Sequence, residues 1–166
     1  MKAIILAGGR GKRLRPITDK IPKPLIPINN KPLIERTIKY LKKYGVTEII
    51  ISAGYKSHLI EKFLKQKKNF GCQIIFSIEN TPLGTGGAIK KAMKHVEEDS
   101  FLVINGDVVT NIDLRKIMKK ENTIAANELK TKFGTMDIRG NKILKFNEKK
   151  DVTNVWMNPG IYHLST

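Results

Sequence analysis

Cysteine is nearly absent: Cys72 is the single one in 166 residues, which excludes an internal disulfide. The 3 histidines, His58, His95 and His163, stand far apart and form no Cys/His cluster with zinc spacing. No apolar run approaches the roughly 20 residues needed to cross a bilayer. The opening MKAIILAGG breaks at glycines after a short apolar stretch rather than at a signal-peptidase site. The sequence therefore predicts neither a membrane span nor a secretory leader, and it predicts the cytoplasm as compartment. Acidic residues are also scarce, 15 against 31 Lys and Arg. The resulting charge of +16 predicts attraction to nucleic acid, an anionic membrane surface or phosphorylated small molecules. Aromatic residues, at 7%, are too few to interleave that charge with stacking platforms. Much of the charge is Lys on apparently helical segments, among them Lys39, Lys42 and Lys43, then Lys90, Lys91 and Lys94, the pattern of a solvated helix face. Nucleic-acid binding is accordingly disfavoured.

A content of 40% hydrophobic and 28% charged residues places the chain among globular proteins, with one domain expected over residues 1–166. Short apolar runs predict strands at residues 2–7, 47–52, 73–78 and 101–105. Helical spacing of Leu33, Ile34, Ile38 and Leu41 predicts a helix over 31–44, stopped by Gly45, and further helices follow over 57–67 and 86–96. Strands alternating with such helices specify an α/β fold with a mostly parallel sheet covered on both faces, whose ligands bind at the carboxyl ends of the strands. After a helix near 114–120 the pattern turns β-rich, with strand-like pieces at 123–129, 134–138, 142–147 and 154–164. Ser165 and Thr166, residue types that cap helix starts, follow a strand directly. The chain is thus expected to be the amino-terminal part of a domain truncated at its carboxyl end.

Chemistry concentrates in the loops. GGRGKRLRP, from Gly8 to Pro16, follows a strand and combines glycines with Arg10, Lys12, Arg13 and Arg15. Glycines let backbone N–H groups approach phosphate oxygens, and guanidinium groups supply forked donors to them. The loop is no Walker A motif, since Arg13 follows Lys12 where Ser or Thr is needed and Leu6 stands where the first Gly belongs. It is no dinucleotide fingerprint either, because Leu14 occupies the third Gly position counted from Gly9. Pro22 and Pro24 are expected to hold Lys23 extended, with its ammonium in a fixed direction suited to an α-phosphate. ENTPLGTGGA, from Glu79 to Ala88, again joins a strand to a helix through glycines, so that backbone can lie flat against a base or ribose. INGDV places Asp107 at the mouth of the sheet, where one carboxylate can hold Mg²⁺ that also takes phosphate oxygens and water.

Taken in order, GGRGKRLRPIT, KPLIPI, PLGTGGAI, INGD, the Glu148 and Lys149 pair in FNEKK, and NPGIY strongly resemble the sugar-1-phosphate nucleotidylyltransferases. The resemblance runs from Met1 to about Tyr162, and SIENTPLGTGGAIKKA looks most like the guanylyltransferases of mannose or heptose 1-phosphates. It implies a Rossmann-like sheet of the nucleotide-diphospho-sugar transferase type and Mg²⁺-dependent conversion of NTP and sugar 1-phosphate to NDP-sugar and pyrophosphate. By the same resemblance Leu6, Ala7, Gly8, Gly9, Gly11, Pro82, Gly84 and Thr85 would line the nucleotide. Arg13 would grip the β- and γ-phosphates, Lys23 would contact the phosphates at the reacting centre, and Asp107 would bind Mg²⁺. Gly134, Glu148, Asn158 and Gly160 would face the sugar and Lys149 its 1-phosphate. The chain departs from the family at Lys12, where Thr or Ser is frequent, and at Lys150, where Pro is frequent. The family also continues into a segment with a second metal-binding Asp, which lies beyond these residues.

Glu79 stands near the position where uracil and thymine users carry Gln. A carboxylate accepts from guanine N1–H and N2–H₂, whereas uracil presents acceptors on either side of one N–H, so Glu79 favours GTP. Mannose 1-phosphate is the preferred acceptor by resemblance alone. A UTP- or dTTP-dependent glucose-1-phosphate enzyme, and a non-catalytic module like the subunits of the translation-initiation exchange factor, stay open as alternatives. Arg13, Lys23 and Asp107 together weigh against the module. Oligomeric state is open, with a homo-oligomer among the options.

Overall fold

The computed structural model describes residues 1–129, 133–148 and 155–166. In chain order the elements are β1 (Lys2–Ala7), α1 (Ile17–Lys20), β2 (Pro27–Ile28), β3 (Lys31–Pro32), α2 (Leu33–Lys43), β4 (Glu48–Ala53), α3 (Ser57–Gln66), β5 (Gln73–Ile78) and α4 (Gly84–Ala92). They continue with β6 (Ser100–Asn105), α5 (Leu114–Ile117), β7 (Thr123–Ile124), β8 (Asn127–Glu128), β9 (Thr135–Arg139), β10 (Lys142–Asn147), β11 (Trp156–Met157) and β12 (Ile161–Ser165). The chain divides into two units, one of Met1–Ile124 with Gly160–Thr166 and the other of Ala125–Pro159.

The first unit is built on a six-stranded sheet ordered β5-β4-β1-β6-β12-β7. The four apolar strands pair in parallel, and β12 runs antiparallel to both β6 and β7. Ile4, Ile50 and Val103 face Ala92 of α4, while the alternate residues Ile5, Ile49, Ile51 and Ile104 are buried as well. Burial on both faces is why these strands are continuous apolar runs rather than alternating ones. Helix α2 buries Ile34, Ile38 and Leu41. Its carboxyl end closes where Gly45 N–H and Val46 N–H donate to the carbonyls of Lys42 and Leu41. Because β1 lies between β4 and β6, the chain first winds to one side of β1 and later crosses to the other. The carboxyl ends of β1 and β6 therefore form the switch point at which open α/β sheets bind ligands.

Some elements differ from the sequence expectation. Helix α4 begins two residues earlier, at Gly84, and gives way after Ala92 to a 3₁₀ turn over Met93–His95. The run 154–164 splits into β11 and β12, because Pro159 lacks a ladder donor and Gly160 turns the chain at φ +78°. The run 123–129 likewise divides into β7 of the main sheet and β8. In the second unit β8 pairs with β11, and β9 with β10, both antiparallel. Among the described residues no helix is long and apolar enough to cross a membrane.

Candidate active site

At the switch point the parallel register sets Leu6 beside both Ser52 and Asn105, and Ser52 beside Ser77. Period-two alternation gives these residues, and Glu79 beyond Ser77, one common face, the one α4 covers lower down. Two cavities open along this edge. One of about 440 Å³ is lined by Ala7, Gly11, Lys12, Arg13, Lys23 and Asp107, with Leu6, Gly9 and Asn105. The other, of about 270 Å³, is lined by Gly8, Glu79, Pro82, Gly84 and Thr85, again with Leu6, Gly9 and Asn105.

The larger cavity is cationic. Lys12, Arg13 and Lys23 face a single carboxylate, and the Lys23 ammonium donates directly to Asp107 Oδ2. Of the four cations in the first loop, Lys12 and Arg13 line the cavity, whereas the Arg15 guanidinium pairs with Asp19 at 3.2 Å. Arg15 is not among the residues that line the cavity, which composition alone does not show. Lys23 opens a short 3₁₀ turn, Lys23–Leu25, instead of lying extended. Here Leu25 N–H and Ile26 N–H close onto the carbonyls of Pro22 and Lys23, and these bonds override the extended preference before proline. The loop is braced from beyond β4: Tyr55 Oη–H donates to the Thr18 carbonyl at 3.0 Å, and Thr18 Oγ1–H to the Gly11 carbonyl at 3.0 Å. Lys56 Nζ donates to the carbonyls of Asp19 and Lys20. These braces pair residues remote in sequence, which no local motif signals.

The smaller cavity is organised by Glu79, which is half-buried. Its Oε1 accepts from Ser52 Oγ–H at 2.8 Å and its Oε2 from the Leu83 N–H at 3.3 Å. A Cβ on Gly8 would come within 2.6 Å of Oε1, so glycine there gives the carboxylate its room. With two accepted bonds, Glu79 keeps acceptor sites for further donors. Such a carboxylate on an apolar floor of Leu6 and Ala88 can receive a ring carrying adjacent N–H groups.

Asp107 is the one carboxylate lining the cationic cavity, and among the described residues no group of 3 or more His, Cys, Asp or Glu could hold a metal ion. A hard oxygen donor of this kind fits Mg²⁺ when phosphate oxygens and water complete the coordination. Gly134, Glu148 and Asn158 lie in the second unit, Glu148 exposed, and Lys149 falls outside the described residues. Gly160 belongs to the first unit, where it packs against Asn105. Asn105 and Gly106, whose N–H donates to the Leu6 carbonyl at 2.9 Å, were not singled out by sequence reasoning. The one signal was a polar residue closing an otherwise apolar strand.

A nucleoside-sized pair of cavities at the switch point of this sheet, one cationic and one carboxylate-lined, is the arrangement of a nucleotidyl-transferring enzyme. The chain belongs to the nucleotidyl transferase family, which it matches over residues 2–166. It is 41% identical over 170 residues to the D-glycero-alpha-D-manno-heptose 1-phosphate guanylyltransferase of Aneurinibacillus thermoaerophilus, covering 98% of this chain and 74% of that protein. It is 36% identical over 179 residues to mannose-1-phosphate guanyltransferase beta-B of Xenopus laevis, covering 99% of this chain and 50% of that one. The crystal structure of HddC from Yersinia pseudotuberculosis complexed with GMP-PN superposes with a TM-score of 0.77 at 36% identity, covering 99% of this chain and 76% of that one.

Proposed function

We propose that the protein transfers a guanylyl group from GTP to the 1-phosphate of a mannose-configured sugar, hexose or heptose, releasing pyrophosphate. The observation that carries this reading is the Glu79 carboxylate, braced by Ser52 and Leu83, in the cavity beside the cationic one. The guanylyltransferase names of the relatives support it, and the heptose-phosphate relative supports a heptose as much as mannose.

In this reading the base occupies the cavity of Gly8, Glu79, Pro82, Gly84 and Thr85, and the triphosphate occupies that of Arg13 and Lys23. An oxygen of the sugar phosphate attacks the α-phosphorus in line, the bond to the bridging oxygen of the β-phosphate breaks, and pyrophosphate leaves with that electron pair. No enzyme nucleophile is needed. Positioning and charge neutralisation suffice, which suits a site of Lys, Arg and backbone N–H groups. Arg13 holds the departing phosphates, and Lys23 meets the charge at the reacting centre. Asp107 would hold Mg²⁺, which when bound aligns and neutralises phosphate oxygens. The resemblance assigns Gly134, Glu148, Asn158 and Gly160 to the sugar and Lys149 to its 1-phosphate.

The test is a titration with GTP, UTP, dTTP, CTP and ATP in the presence of Mg²⁺, followed by pyrophosphate release with mannose, heptose and glucose 1-phosphates. Tight binding of GTP and release with a mannose-configured acceptor are expected. Turnover of UTP or dTTP with glucose 1-phosphate in preference would overturn the reading.

A further inference from the structure

Three residues, Leu6, Gly9 and Asn105, line both cavities. Leu6 is apolar and Gly9 has no side chain, so Asn105 carries the one side-chain hydrogen-bonding group at the junction. Its place is fixed from two sides. Asn105 ends β6 in register with Leu6, and its backbone N–H donates to the Gly160 carbonyl at 2.9 Å. Its carboxamide lies against the Cα of Gly160, where a Cβ would come within 2.1 Å of Nδ2. Among the described residues no protein group hydrogen-bonds to that carboxamide, unlike the Glu79 carboxylate, which Ser52 and Leu83 already engage.

We infer that Asn105 holds the ribose hydroxyls of the bound nucleoside triphosphate and makes the enzyme select ribonucleotides over deoxyribonucleotides, with Gly160 as the residue that positions it. The inference rests on the reading of the two cavities as base and phosphate sites. A nucleotide spanning them places its ribose at their junction. A ribose hydroxyl both donates and accepts, and a carboxamide offers both partners, Nδ2–H₂ and Oδ1. Leu6 and the Gly9 backbone line the same junction and cannot distinguish a hydroxyl from a hydrogen by side-chain hydrogen bonding. No charge is brought to the junction, so the contact selects without competing for the phosphates.

The test measures equilibrium binding of GTP, 2′-deoxy-GTP and 3′-deoxy-GTP to the wild type, to Asn105→Leu, which keeps the volume, and to Asn105→Ala, which removes the carboxamide without adding bulk. The wild type should bind GTP about tenfold tighter than 2′-deoxy-GTP, the worth of one hydrogen bond. Asn105→Leu should bind all three within about twofold of one another. If Asn105→Leu fails to fold by circular dichroism, the comparison is read from Asn105→Ala, in which the preference should vanish because donor and acceptor are both lost. Absence of a ribose preference in the wild type, or its persistence in the folded variants, would overturn the inference. The same comparison with UTP and dUTP separates the two readings. A ribose preference seen with UTP and not with GTP would sink the guanine assignment and leave Asn105 in place, whereas GTP binding without any ribose preference would do the reverse.

Discussion

Replacing Glu79 by Gln tests the base reading at one atom. The carboxylate receives Ser52 Oγ–H at 2.8 Å and the Leu83 N–H at 3.3 Å. A Gln side chain of the same shape satisfies both neighbours: its Oε1 accepts from Leu83, and its Nε2 donates to Ser52, whose hydroxyl rotates to accept. The loop should therefore hold its form, with Tm moved by no more than a degree or two. What changes is the face offered to the base, where an acceptor becomes a donor and one guanine N–H is left unpaired. A hydrogen bond to a charged acceptor contributes about 1.5–3 kcal/mol, and the half-exposed setting of Glu79 places the loss near the lower bound, or about tenfold in affinity. UTP should gain, because uracil O4 accepts from the new amide. Measured as kcat/KM by pyrophosphate release with GTP and UTP, the ratio should fall by at least about tenfold. A GTP to UTP ratio unchanged in a variant of unaltered Tm would show that Glu79 only braces the loop, and the backbone would then have to read the base.

Other substitutions address the remaining parts. Arg13→Ala should weaken binding of GTP about tenfold and of the GDP-sugar less than about twofold, because only GTP carries the phosphates assigned to it; equal losses in calorimetric titration would contradict that role. Asp107→Asn should lower turnover by about 100-fold or more while leaving Tm nearly unchanged, since its ion pair with Lys23 is exposed and worth about 0–1 kcal/mol; undiminished pyrophosphate release would remove Asp107 from the centre. Gly160→Ala meets both a φ of +78° and the carboxamide of Asn105, and should cost about 2–3 kcal/mol in urea unfolding together with weaker GTP binding. A loss of only about 1 kcal/mol, the worth of the positive φ alone, would mean that Asn105 swings aside freely. Ile5→Ala, in a fully buried position of β1, should destabilise by about 2–5 kcal/mol without altering the preference for GTP.

The parallel core was legible because each of its strands is a short, doubly buried apolar run, and residues 2–7 and 73–78 become β1 and β5 with the bounds read from sequence. The β-rich stretch was harder. Residues 154–164 carry strand-like side chains throughout, and only the backbone turn at Gly160 divides them between two sheets. In the site, glycines and cations adjacent in sequence were visible, but their destinations were not. Arg15 looks as available as Arg13 until Asp19 engages it, and Lys23 looks extended until two backbone bonds draw it into a turn. Asn105 escaped notice because its significance depends on Gly160, which arrives on the neighbouring strand only after the chain has passed through β7 to β11. Lys149, assigned by resemblance, lies outside the described residues.

The position of β12 bears on synthesis as well as on catalysis. Strand β6 is paired on one side by β1, and on the other by β12, which is synthesised after all of β1 to β11. A nascent chain that has released everything up to β11 can assemble its parallel strands, yet it presents the backbone of Phe101–Ile104 as a bare apolar edge, the kind that recruits strands from neighbouring molecules. Ile161–Ser165 ends that exposure, and the same step brings Gly160 against Asn105. Sealing of the aggregation-prone edge and completion of the edge proposed to bind the nucleotide are thus one event in the life of the chain. A polysome stalled before this strand should hold a protein that is both sticky and unable to bind its nucleotide.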